Sequence, residues 1–155
     1  MNWLKILNSN EKREIEKKLN ETFGIKNIPG IIIRKGQERL FLFLGDLEEE
    51  KIKRMEGRIP IERIGIYFAK QINDEIKLSI EGIELLKDQI TKNIFKLTEE
   101  QAEQWMHGQE LLIATGKRGY LAMKCNNDFL GCGKASAEKI GNYIPKSRRL
   151  KYRGQ

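Results

Sequence analysis

DFLGCGKASAEKIGNYIPKSRRLKYRGQ, residues 128–155, is the stretch whose reading decides the rest. Lys134, Lys139, Lys146, Arg148, Arg149, Lys151 and Arg153 stand here against only Asp128 and Glu138. The 155-residue chain carries a net charge of +7, so nearly all of its positive excess lies at this end. A one-sided basic segment attracts polyphosphates, because each phosphate it neutralises releases condensed counterions. The plain alternative is a solvated, frayed basic tail. Ile140, Tyr143, Ile144, Leu150 and Tyr152 argue against that, because they interleave apolar and aromatic positions with the charges. A disordered tail holds few such residues. The segment therefore reads as ordered and as facing a nucleic acid.

Working outward, the whole chain is long enough for one ordinary domain or two small ones. Its hydrophobic share of 39% beside 33% charged residues describes a folded chain and excludes disorder as the default. No apolar run approaches the roughly 18 residues that would span a bilayer. The start, MNWLKILNSNEKRE, has no long apolar core or cleavage site of a secretion signal, so the cytoplasm is the expected compartment. Cys125 and Cys132 with the single His107 cannot furnish a four-ligand zinc site. Both thiols are expected to be buried in strands.

Taken in order, Ile15, Leu19 and Phe23 recur every fourth residue and predict a helix over 9–21, capped by Ser9 or Asn10 and stopped by Gly24. Trp3, Leu4, Ile6 and Leu7 precede it as an apolar lead. Residues 31–34 and 40–44 predict a hairpin turning at KGQE. Asp46 and Glu49 make a capping-box pattern for a helix to about residue 56. Strands are expected at 63–69 and 75–80 about an Asn73-Asp74 turn, then a short helix over 82–90. Thr98 and Gln101 signal a further helix ending at Trp105-Met106. Strands follow at 110–114, 119–125 and 129–132, with weaker ones near Tyr143 and Leu150, punctuated by glycines in the manner of a small barrel. The expected class is α+β, with an α+β domain over 1–92 and a small β-barrel over 93–155.

WMHGQEL (105–111), GYLAMK (119–124), LGCGKAS (130–136) and NYIPKSRRLK (142–151) carry a family resemblance. They resemble a PUA domain, the RNA-binding module named after pseudouridine synthases and archaeosine transglycosylases. The resemblance is to the PUA segment of Sun-type RNA cytosine-5 methyltransferases and to small ribosome-biogenesis proteins in which a pre-PUA domain comes first. It implies RNA as the partner, rRNA or tRNA, with ribosome-assembly factors or an RNA methyltransferase as further partners. It implies no cofactor.

Enzyme readings fail on the residues. Gly131-Cys132-Gly133 begins like a dinucleotide loop, but Ser136 stands where GxGxxG needs its third glycine. A cytosine-5 methyltransferase of that family places its nucleophile after proline, whereas Cys125 follows Lys124 and Cys132 follows Gly131. A hydrolase triad would have only His107 as its base, and that residue reads as a surface group at a helix C-terminus. The binding reading is stronger. Lys134 follows a glycine turn, and Lys146, Arg148, Arg149, Lys151 and Arg153 follow Pro145, whose fixed φ stiffens the approach. If extended, that run would set Arg149, Lys151 and Arg153 on one face and Arg148, Leu150 and Tyr152 on the other. Arginine suits phosphate through its bidentate fork. Tyr143 and Tyr152 are candidates for stacking on bases, or else rim aromatics of a barrel core. The function expected is RNA binding without catalysis in ribosome biogenesis. A detached RNA-targeting subunit for a methyltransferase and a protein–protein adaptor are the alternatives.

Overall fold

The computed structural model describes residues 4–45, 54 and 65–152. The four-residue spacing of Ile15, Leu19 and Phe23 places them on one face of α1 (Ser9–Phe23), and all three are buried. The cap is Asn8, not the adjacent Ser9 or Asn10. Its side chain accepts from the Glu11 N–H at 2.9 Å, and the Glu11 carboxylate accepts from the Asn8 N–H at 3.0 Å. Gly24 closes the helix at φ 81°, with its N–H donating to Asn20 O.

The apolar lead is itself a strand. β1 (Leu4–Ile6) joins β2 (Ile31–Lys35), β3 (Arg39–Phe43), β4 (Ile66–Ile72) and β5 (Glu75–Leu78) in an antiparallel sheet of that order. Gly36 at φ 66° and Asn73 at φ 55° turn the two hairpins. The helix expected from Asp46, Trp3, and the first residues of the strand expected at 63 lie outside the described residues. On the inner face, Leu40, Leu42, Ala69, Ile76 and Leu78 pack with Ile15, Leu19 and Phe23. On the outer face, Ile33 and Phe41 form a smaller cluster with Leu4, Ile6, Ile31, Phe43 and Tyr67. Between them, β4 bulges. Leu40 opposes Ala69 and Phe41 opposes Tyr67, so Phe68 is extra and turns its ring into the core.

The next helix begins earlier than expected. Ser79 accepts from the Gly82 N–H at 2.9 Å and caps α2 (Ile80–Leu86), which a 3-10 turn, Lys87–Gln89, extends. The second sheet then runs β6 (Ile94–Lys96), β7 (Gly119–Cys125), β8 (Asp128–Ala135) and β9 (Ile140–Asn142). β6 and β7 are parallel, joined through α3 (Glu99–Met106), where the Thr98–Gln101 capping box forms as expected. The strand expected at 110–114 reduces to one bridge, Leu111 to Ile140, and the segment near Leu150 forms none. Among the described residues no ladder joins Leu111 back to β6. The fold is thus a mixture of helices with two sheets.

Trp105, Leu121, Met123, Ala135 and Ile140 fill a second core. Trp105 donates its indole N–H to Leu130 O at 2.7 Å. Gly133 is needed here, since a Cβ would sit 2.5 Å from Ile140 and 2.8 Å from the Trp105 ring. The first core does not stop at the join between the sheets: Tyr120, Ala122 and Cys132 of the second sheet belong to it.

Candidate nucleic-acid interface

The glycine-rich strand β8 and the chain after β9 position most of the candidate residues. Lys134 leaves β8 with its ammonium 5.3 Å from the Tyr120 ring and 3.7 Å from Glu75. Tyr120 meets Tyr143 edge-on, at 6.0 Å between centroids. Tyr143 is 44% exposed, so part of this residue stays open to solvent. Over the same ring lies Lys77, its nitrogen 4.5 Å from the centroid.

After Pro145 the backbone coils rather than extends. Lys146–Arg148 form a 3-10 turn, and Arg149 returns to extended geometry. Alternating faces therefore do not sort these side chains. Arg148 reaches across to pair with Glu81 on α2. Arg149 donates from Nε to Ile144 O at 2.8 Å, and its stem lies over Gly108. A Cβ there would be 2.4 Å from Arg149 Cδ, which that flexible side chain can relieve by shifting, so it is φ of 89° that calls for glycine. Both arginines thus brace the fold. Lys146 and Lys151 are exposed, without an ion pair among the described residues. Arg153 lies outside the described residues.

The tail is docked. Leu150 N–H donates to Met106 O at 2.8 Å, and Leu150 O lies 2.8 Å from His107 Nδ1. A carbonyl cannot donate, so His107 carries its proton on Nδ1 in this contact. Tyr152 stacks flat on the same imidazole, with centroids 3.9 Å apart and planes 5° from parallel, and its hydroxyl accepts from Gln109. His107 is therefore the anchor of the C-terminal segment rather than a plain surface group. Tyr152 is committed to that anchor through one ring face.

A cleft of about 130 Å³ lies between the halves, lined in part by Tyr67, Lys77, Gly131, Cys132, Tyr143 and Arg148. Lys77 and Tyr67 were not singled out by sequence. Their signal was present in strand alternation, since Lys77 sits between buried Ile76 and Leu78 and must point the other way. Burial first, then nearby Lys70, pushes the Lys77 pKa down. Burial, with Tyr143 next, pushes Tyr120 up to about 12. Burial pushes the Cys132 thiol up to about 12 as well, so it stays protonated and unsuited to nucleophilic work. Cys125 is only part-buried. Among the described residues no group of three or more His, Cys, Asp or Glu side chains could hold a metal, and no helix is long and apolar enough to cross a membrane. Exposed cations beside a part-exposed aromatic residue can bind phosphate and stack on a base.

Residues 92–150 match the family model of the methyltransferase RsmF PUA domain. The second half of the chain thus carries a PUA domain related to the C-terminal segments of Sun-type methyltransferases. No curated protein matches the chain.

Proposed function

From a PUA domain over residues 92–150, we propose that the chain is a non-catalytic RNA-binding protein of ribosome biogenesis or rRNA processing. The family match carries this reading, because PUA domains suggest RNA binding. In it, residues 1–92 act as a pre-PUA domain and residues 93–155 as the barrel-like PUA domain. Lys134, Lys146 and Lys151 contact phosphates, and Tyr143 stacks on a base. Arg148 and Arg149 set the turn that presents Lys146. The RNA is recognised by backbone and shape, with few base contacts.

The matched family favours one second reading, a detached RNA-targeting subunit that docks on a methyltransferase from another chain. Purification from cells separates the two: a co-purifying RNA methyltransferase supports the subunit, and assembly intermediates of a ribosome without it support the first. The shared core of both readings is tested by salt titration with purified protein. Each phosphate contact contributes about −0.7 to the slope of log affinity against log salt for single strands. Lys134→Ala, Lys146→Ala and Lys151→Ala together should flatten the slope by about 2. RNA affinity indifferent to salt and to this triple would overturn the proposal.

A further inference from the structure

Four cations stand in register across the outer face of the first sheet. Lys35 opposes Arg39, Arg39 opposes Lys70, and Lys70 opposes Lys77. Directly opposed residues of antiparallel strands share a face, so β2, β3, β4 and β5 each place one positive side chain in a single row. The β4 bulge contributes, since its extra residue Phe68 lets Tyr67 and Lys70 lie on the same face. Arg39 lies 5.9 Å from the Tyr67 centroid, and Lys77 lies over Tyr143.

Like charges directly opposed in a sheet cost stability. Among the described residues, carboxylates do little to offset Arg39, Lys70 and Lys77. Glu38 approaches Lys70 at 3.7 Å, and Glu75 at the end of β5 approaches Lys134 rather than Lys77. Glu81 in the cleft is paired with Arg148. Arg39 is exposed, and Lys35, Lys70 and Lys77 are partly so. A row that opposes folding and stays open to solvent fits an external anion. Its length suits a polymer: the two strand-to-strand steps from Arg39 to Lys77 span about 10 Å, further than one phosphate group reaches. From Lys77 the row passes through Tyr143 and Tyr120 to Lys134, joining the surface assigned above to RNA.

We propose that Arg39, Lys70 and Lys77 form a second phosphate-binding track, which carries a single RNA strand from the first sheet across Tyr143 onto the PUA domain. This rests on the RNA-binding reading and extends the footprint beyond the matched domain. Cations alternating with aromatic rings are the pattern that holds single strands without regard to sequence.

Oligouridylate of about 16 nucleotides, long enough to span both surfaces, is titrated with the full chain over a range of salt. Arg39→Gln, Lys70→Gln and Lys77→Gln together should flatten the salt slope by about 2. Arg13→Gln, Lys17→Gln and Lys26→Gln remove equal charge from exposed positions on and just after α1, which packs against the opposite face, and should leave the slope nearly unchanged. The charge-keeping triple Arg39→Lys, Lys70→Arg and Lys77→Arg should retain the wild-type slope. If the neutral triple is less stable in a thermal melt, Lys70→Gln alone reads the same contact as a change of about 0.7. Salt-dependent binding by wild type, with the sheet triple and the α1 triple indistinguishable, overturns the track and leaves the PUA surface standing. Failure of wild type to bind RNA overturns both.

Discussion

Cys132 shows how far burial alone can set chemistry. Its thiol is raised from 9.0 to about 12, and the Tyr120 hydroxyl beside it in the same core from 10.0 to about 12. Both groups stay neutral in the fold where the unfolded chain ionises them. Their contribution is therefore intact below pH 9 and is lost as pH rises toward 12. Cys132→Ala should lower stability at neutral pH, through lost packing, yet flatten the fall of the urea midpoint between pH 9 and 12. An unchanged alkaline fall in that variant would contradict the assignment. Residue type leads to the expectation that both cysteines are buried, which holds for Cys132 but only in part for Cys125. The neighbours of Cys132 were not legible in the sequence. Likewise, alternation in β5 told which way Lys77 points but not that Tyr143, far along the chain, would lie beneath it.

At the scale of elements, local signals were readable and remote ones were not. The Thr98–Gln101 box and the spacing of Ile15, Leu19 and Phe23 act within a turn or two, and both elements formed. Asn8 was missed because three adjacent polar residues offer equivalent caps, and β1 because three residues are too few to show a period. The coil after Pro145 is closed by its own backbone bonds, Arg148 N–H to Pro145 O at 2.8 Å among them, while the pairing of Arg148 with Glu81 is a contact no local pattern encodes. Asn142 is the main connector in this region. Its amide donates to Trp105 O at 2.9 Å and Gln109 O at 3.0 Å, and its oxygen accepts from the Ile144 N–H at 2.8 Å. Asn142→Ala strands these backbone groups and should cost about 2 kcal/mol in urea denaturation. A loss within about 0.5 kcal/mol, ordinary for a surface change, would show that Asn142 does not hold the end of α3 to the C-terminal segment.

For the whole molecule, the charge count located the basic end but hid the basic row. Residues 1–133 are close to neutral as a string, because acidic residues separate Lys35, Arg39, Lys70 and Lys77 in sequence. Only strand register brings the four together. The join between the sheets is similarly tied by contacts remote in sequence: Thr91 N–H to Phe23 O at 2.8 Å, and Asn93 Nδ2 to Thr22 O at 2.5 Å. With Tyr120, Ala122 and Cys132 sharing the first core, limited proteolysis should spare residues 91–97. Rapid cleavage there into two stable fragments would contradict a fixed arrangement. The central claim, that RNA lies on the PUA surface around Tyr143, is met most directly by photocrosslinking the full chain to thiouridine-labelled RNA and mapping the modified peptides. Crosslinks at Tyr143 and within the peptide holding Lys146 and Lys151 are predicted. Crosslinks confined to α1, with none in residues 128–152, would contradict it.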